Sequence, residues 1–110
     1  MENIKELAVE KIGQNGTSLV FRLPEQWLSH YNLKIGQPLF SVVDLNQTLR
    51  VYLEETDWSR STVIRIINGN GHMVIPAKHV ESLHWKKGDE VVICVDLDLG
   101  VMLVKLRRAA

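Results

Sequence analysis

Histidine is the side chain in this sequence whose chemistry first suggests a site. Three of the four histidines, His72, His79 and His84, lie seven and five residues apart. This spacing does not place three imidazoles on one face, and the single cysteine, Cys94, supplies no pair of thiolates for a zinc site. We therefore expect no metal site and no cofactor.

Nucleophilic and phosphate-binding groups also lack the context that catalysis needs. Ser18, Ser59 and Ser61 do not lie in a nucleophile elbow, and Cys94 lies within an apolar run typical of a strand. The glycine-rich segment 68–71 leads into a strand, whereas a phosphate-binding loop leads into a helix. The sequence predicts a binding protein and not an enzyme.

The turns that would position a binding surface occur twice. Pro24 and Pro76 are 52 residues apart, and so are Gly36 and Gly88. Proline and glycine mark the backbone positions with the most restrictive geometry, so a shared offset indicates a repeated structural unit.

The predicted domain organisation follows from this repeat. The first unit covers residues 1–54, a linker covers residues 55–61, and the second unit covers residues 62–110. Half-sized units cannot bury their apolar faces alone, so we expect them to share one core, packed about a pseudo-two-fold axis with interleaved hairpins. Short strands with regular turns, and short helices that begin at Pro24 and Pro76, predict a mainly β barrel.

Charge is balanced overall but uneven along the chain. Formal net charge is zero over 110 residues. Residues 1–58 carry five Lys and Arg against eight Asp and Glu, and residues 59–110 carry eight against five. The positive second half indicates either an anionic partner or simply a solvated surface.

The expected compartment is the cytoplasm. One cysteine forms no internal disulfide, and the segment from Met1 to Glu6 lacks a basic region followed by an apolar stretch. No apolar run approaches the length that spans a membrane, so we expect no membrane contact.

At the repeated motifs the sequence resembles a known family. The second half contains Gly71-His72-Met73-Val74-Ile75-Pro76 and Lys87-Gly88-Asp89, which are similar to motifs of the AbrB and SpoVT type of swapped-hairpin DNA-binding domain. The first half contains Gly16-Thr17-Ser18 and Arg22-Leu23-Pro24, which resemble the MazE antitoxin variant of that domain. The resemblance implies an AbrB-like swapped-hairpin β-barrel with two short helices, in which two tandem copies form a pseudo-dimer.

The resemblance also implies which residues contact DNA. In this family, basic side chains on the first hairpin and around the strand that ends in Ile-Pro enter the grooves and hold phosphates. The matching residues here are Arg22, Arg65, Ser18, His72 and Lys78. Arg22 and Arg65, one from each unit, are the expected principal contacts, because Arg can read a guanine edge whereas Ser and Lys mainly position the phosphate backbone. Where the family carries a basic pair before the turn, this sequence has Gly13-Gln14.

Three functions remain open on these residues. The resemblance favours a sequence-specific transcriptional regulator whose partner is double-stranded DNA. The second is an antitoxin that neutralises a toxin protein and regulates its own operon, although MazE-type antitoxins usually continue into a long acidic segment, and only Arg107-Arg108-Ala109-Ala110 follow Leu106 here. The third is a protein-binding module that has lost DNA affinity, in line with the zero net charge. We expect the chain to act as a monomeric pseudo-dimer or as a homodimer.

Overall fold

The computed structural model describes residues 4–54 and 61–107. The predicted linker at residues 55–61 lies outside the described residues except for Ser61. Along the described chain, in order, lie β1 (Ile4–Lys11), β2 (Gly13–Asn15), β3 (Ser18–Arg22), α1 (Glu25–His30), β4 (Pro38–Val43), β5 (Leu49–Tyr52), β6 (Thr62–Arg65), β7 (His72–Val74), α2 (Ala77–Leu83), β8 (Glu90–Asp96) and β9 (Val101–Leu106).

Each helix begins directly after a proline. Pro24 and Pro76 have φ angles of −62° and −55°, which suit entry into a helix. Just after the helices, Asn32 and His84 have φ angles of 52° and 57°, the left-handed conformation that ends a helix. The two predicted helices are therefore confirmed, and with six and seven residues neither is long enough to cross a membrane.

The larger sheet joins the two halves of the chain. Its strand order is β1-β8-β9-β5-β4-β6, and its neighbouring strands are antiparallel. The first strand of each half pairs with a strand of the other half, because β1 lies beside β8 and β6 lies beside β4. β5 and β9 pair at the centre of the sheet. The equivalent strands β1 and β6 therefore form the two edges, and the equivalent strands β8 and β4 lie next to them.

The smaller sheet has the order β2-β3-β7. In its β3 and β7 pair, Phe21 lies opposite Met73, which is 52 residues further along the chain. On either side of this pair, the Leu23 N–H donates to the Gly71 carbonyl and the Ile75 N–H donates to the Leu19 carbonyl, both at 2.8 Å. These two bonds are also related by the 52-residue offset, so the halves meet here in the same way from both sides.

A second pair of matched hydrogen bonds ties the glycine turns to the other half. The Gly36 N–H donates to the Ile66 carbonyl at 2.8 Å, and the Gly88 N–H donates to the Ile12 carbonyl at 2.9 Å. Both glycines have left-handed φ angles, 84° and 94°, which side chains rarely adopt. The recurring glycines in the sequence are therefore explained by one turn used twice.

One apolar core draws on both halves. Burial of this apolar surface is the main favourable term in folding. Its largest fully buried side chains are Trp27, Phe21, Ile12, Leu23, Leu39, Leu49, Met73, Ile75, Ile93, Met102, Val51 and Val91. The mainly β class predicted from the sequence is confirmed. Within the described residues the larger sheet does not close on itself, so the predicted barrel is not confirmed.

Candidate nucleic-acid interface

Three of the predicted contact residues lie on one face of the smaller sheet. Arg22 on β3 lies directly opposite His72 on β7. Ser18 is four residues before Arg22 on the same strand, and side chains at even spacing on a strand point to the same face. Arg22 is exposed, and its Nε donates to the Asn70 carbonyl at 3.0 Å. The remaining guanidinium donors can therefore meet a ligand in front of the sheet.

The turn beside Arg22 is held by its own hydrogen bonds. Asn68 Oδ1 accepts from the N–H groups of Asn70 and His72 at 3.0 and 3.2 Å, and it lies 3.3 Å from His72 Nδ1. These bonds fix the backbone carbonyl that Arg22 contacts, and they place the His72 ring against the turn. Arg22 and His72 are therefore presented by a locally ordered hairpin.

Carboxylates accompany Arg22. The groove that Arg22 lines is also lined by Glu10 and Glu25. Two nearby negative charges offset the attraction of one guanidinium for a phosphate. Arg22 alone therefore gives this face little positive potential.

Arg65 lies apart from Arg22, at the edge of the larger sheet. It pairs with Pro38 across β6 and β4, and its Nη1 donates to the Gly36 carbonyl at 3.1 Å. The turn that holds Gly36 also carries exposed Lys34, whose carbonyl accepts from the Gln37 N–H. We call Lys34 and Arg65 the first basic cluster.

Lys11 occupies the place in the first half that Arg65 occupies in the second. Lys11 pairs with Glu90, and Arg65 pairs with Pro38, which is 52 residues before Glu90. The next residues, Ile12 and Ile66, accept the matched bonds from Gly88 and Gly36. The matching offset at these strands is therefore 54 residues, because the hairpin that follows Lys11 is two residues longer than the one that follows Arg65.

A second basic cluster surrounds Lys11. The turn with Gly88 carries Lys86 and Lys87, and the Asp89 N–H donates to the Lys86 carbonyl. Arg107 forms an ion pair with Glu90 at 3.6 Å. The second basic cluster is Lys11, Lys86, Lys87 and Arg107, accompanied by Asp89 and Glu90. Each cluster thus has two net positive charges, because Gln37 and Pro38 take the places of Asp89 and Glu90 in the first.

Arg22 and Arg65, the expected principal contacts from the two units, do not lie at equivalent positions of the two halves. The residue of the second half at the position equivalent to Arg22 is Val74, and the residue of the first half at the position equivalent to Arg65 is Lys11. Lys78 is exposed in the first turn of α2. Sequence reasoning missed Lys11 because a fixed 52-residue offset aligns it with Val63. The signal that could have found it is the Lys-Ile and Arg-Ile pair that ends the first strand of each half.

One buried pair outside this surface resembles the parts of a catalytic site. His79 Nε2 lies 2.9 Å from Ser41 Oγ, and Ser41 Oγ donates to the Thr62 carbonyl at 3.1 Å. Burial, and then the charge of Lys78, lower the pKa of His79, while a hydrogen bond with the Ser41 backbone acts in the opposite direction. Ser41 is 0% exposed and His79 is 4% exposed, so no substrate reaches them and the pair is structural.

Among the described residues, the remaining reactive groups do not form a site. Cys94 is half-buried, and burial and then the charge of Glu6 raise the pKa of its thiol, which disfavours the reactive thiolate. Among residues 4–54 and 61–107, no three His, Cys, Asp or Glu side chains gather in a way that could hold a metal ion.

Comparisons of the chain with protein-family models, with curated proteins and with solved structures found no match. The two basic clusters and the face of the smaller sheet between them are therefore interpreted from their own geometry and charge.

Proposed function

We propose that this chain is a sequence-specific DNA-binding transcriptional regulator. Residues 1–54 and 62–110 would act as two tandem units of the AbrB and MazE type, folded together as a swapped-hairpin pseudo-dimer within one chain. The exchange of first strands between the halves supports this arrangement, since β1 pairs with β8 and β6 pairs with β4. The matched bonds of Gly36 and Gly88 support it as well.

The observation that carries the proposal is the pair of basic clusters at matching positions. β2, β3, β7 and Ile66 are successive neighbours, and three strand spacings separate the backbones at the two clusters by about 14 Å. The major groove of B-DNA is about 12 Å wide and is bordered by phosphates on both sides. Two cationic clusters at this separation suit the two sides of one groove.

The face between the clusters suits the bases. β3 and β7 form a two-stranded ribbon, an element that the major groove admits. Arg22 can bond a guanine edge with two donors, and His72 lies beside it on the ribbon. Ser18 and Lys78 hold phosphates further out, as do the lysines of the clusters. In this scheme specificity comes from the ribbon, and affinity comes from the clusters.

A selection from a random duplex library, followed by titration at low and physiological salt, tests the proposal. We expect one preferred duplex, and an affinity that falls as salt rises, with a slope of about −0.9 for each phosphate contact. Absence of a preferred duplex at both salt concentrations would rule out specific DNA binding.

A protein-binding role is the second candidate, and exposed apolar side chains favour it. Ile35 is 64% exposed, Leu45 is 101% exposed and Leu99 is 64% exposed. Leu45 and Leu99 lie in the hairpin loops at opposite ends of the larger sheet. If no duplex is selected, a partner that covers these loops, such as a toxin protein, becomes the better proposal.

A further inference from the structure

A cavity of about 360 Å³ opens at one end of the larger sheet. It lies between the loop that joins β4 and β5, the end of α2 and the end of β9. Apolar side chains and polar side chains both line it, which is typical of small-molecule sites. The lining residues are Leu83, Trp85, Leu106, Asn46, Gln47, His84 and Lys105.

The matching place at the other end of the sheet is filled by a tyrosine. Tyr31 is 52 residues before Leu83, and its hydroxyl donates to the Leu97 carbonyl. A Cβ added at Gly100 would lie 3.4 Å from Tyr31 Cζ, so the ring packs directly over that loop. A phenol ring therefore closes this end, whereas Leu83 is too short to close the other.

The backbone at the two ends is alike after each helix and at the start of each hairpin loop, although the loop between Val95 and Met102 is one residue longer than the loop between Val43 and Leu49. Asn32 and His84 match in their left-handed φ angles. The loops also match, since Asp44 Oδ1 and Asp96 Oδ1 each accept from two N–H groups of their own loop. By this match, the carbonyl of Leu45 takes the place of the carbonyl of Leu97 that accepts from Tyr31.

The charges at the two ends are opposite. At the filled end, burial and then the charges of Asp98 and Asp96 raise the pKa of Tyr31, so carboxylates surround its hydroxyl. At the open end Asn46 replaces Asp98, and Asp44 is paired with Arg50 at 2.9 Å. Among the described residues, Lys105 lines the open cavity and no carboxylate does. The open end therefore favours an anion.

We propose that this cavity binds a small phenolic carboxylate. Its ring occupies the place that the Tyr31 ring occupies at the other end, its hydroxyl donates to the Leu45 carbonyl, and its carboxylate meets Lys105. Leu83 and Trp85 provide the apolar floor. The lining residues do not include those proposed to contact DNA, so this site is independent of the proposed function.

Titration of the full chain with 3-(4-hydroxyphenyl)propionate, followed by heteronuclear NMR and calorimetry, tests the site. We expect a Kd of about 1 mM or tighter for a ligand of this size. Chemical shift changes should centre on Leu45, Leu83 and Trp85. The analogue without the hydroxyl, 3-phenylpropionate, should bind at least about threefold more weakly, and the cation tyramine about tenfold more weakly.

Two variants separate this site from non-specific binding. Leu83→Tyr places the chain's own matching residue in the cavity and should weaken binding at least tenfold. Lys105→Gln changes an exposed side chain, so the fold is retained, and it should remove the preference over tyramine. If Leu83→Tyr does not fold, the proposal is tested by Lys105→Gln and by the relative affinities of the three ligands. Absence of binding, unchanged binding by folded Leu83→Tyr, or equal binding of all three ligands would overturn the proposal.

Discussion

Trp27 and His79 occupy the same place in α1 and α2, three residues after the proline that precedes each helix. Both are buried in the core, with 0% and 4% exposure. Trp27 Nε1 has no hydrogen-bond partner among the described residues, whereas His79 Nε2 lies 2.9 Å from Ser41 Oγ. The second half thus carries an ionisable ring where the first half carries an indole.

Stability should therefore decrease in mild acid. Burial, and then the charge of Lys78, lower the pKa of His79 below its ordinary value of 6.5. The unfolded chain then binds more protons than the folded chain, so the free energy of unfolding falls as the pH falls below about 6.5. The free energy of unfolding changes by at most about 1.4 kcal/mol per pH unit. It stops falling once the pH is below the pKa of His79 in the folded state. Urea unfolding between pH 5 and about pH 8 measures it.

Two substitutions identify the titrating group. His79→Phe should flatten this slope, because the ionisable ring is removed. His84→Asn changes an exposed histidine to the residue at its matching position, and it should leave the slope unchanged. An equal slope in His79→Phe and the parent chain would assign the effect to another group.

Gly71 should tolerate no side chain. Its φ is +82°, and an added Cβ would lie 2.6 Å from Leu28 Cδ1. The left-handed conformation and the displacement of Leu28 together should make Gly71→Ala cost roughly 2 kcal/mol of unfolding free energy. Gly69, in the same turn, has nothing within 4 Å of an added Cβ, so Gly69→Ala should change stability by less than about 0.5 kcal/mol. Equal effects in urea unfolding would contradict this packing.

Much of the fold could be predicted from residues whose backbone geometry is restrictive. Pro24 and Pro76 predict where the helices begin, and Gly36 and Gly88 predict two equivalent turns, because few residues can replace them there. Whether the larger sheet closes into a barrel could not be predicted from the sequence, since closure depends on strand pairing and tilt rather than on local propensity. Alternating apolar residues predict a strand but not its neighbour.

The candidate site could be predicted less well. Arg22 and His72 were expected on one surface, and the register of β3 and β7 places them opposite each other. Lys11 was missed because the first hairpin of the first half is two residues longer than that of the second half. Equivalent residues are therefore 54 residues apart before this hairpin and 52 apart after it. The contact between Ser41 and His79 spans 38 residues and involves no motif, so only the packing of α2 on β4 reveals it.

The first half of the chain should not fold alone. In a fragment of residues 1–58, β1 loses β8, β4 loses β6, and β3 loses β7. Core residues such as Leu39 of β4 and Phe21 of β3 then face water, so we expect an unfolded or self-associating product. Size-exclusion chromatography measures the association state of the fragment, and the chemical-shift dispersion of its NMR spectrum shows whether it is folded. Addition of residues 59–110 should restore a folded complex, whereas a stable, well-dispersed monomer of the first fragment would contradict the shared core.

The two kinds of DNA contact should respond differently to mutation. Arg22→Ala should relax base preference at a cost of roughly 1 to 3 kcal/mol, because Arg22 lies on the ribbon proposed to face the bases. Arg65→Ala and Lys11→Ala should each weaken all duplexes alike and reduce the magnitude of the salt slope by about 1, because both lie in the clusters proposed to face phosphates. Their effects should be similar in size, since their positions match. Binding is measured on the selected duplex and on a scrambled duplex.

Lys5 provides the matched control for Lys11. It is an exposed lysine on the same strand, about 20 Å away at the extended spacing of a strand. If Lys5→Ala weakens binding as much as Lys11→Ala, the loss reflects overall charge and not the second basic cluster. The double variant Arg22→Ala with Arg65→Ala should lose specific binding and keep the unfolding free energy of the parent, because both side chains are exposed. If this variant binds the selected duplex as tightly as the parent does, the ribbon and the first basic cluster are not the DNA surface, and the exposed hairpin loops with Leu45 and Leu99 become the surface to test for a protein partner.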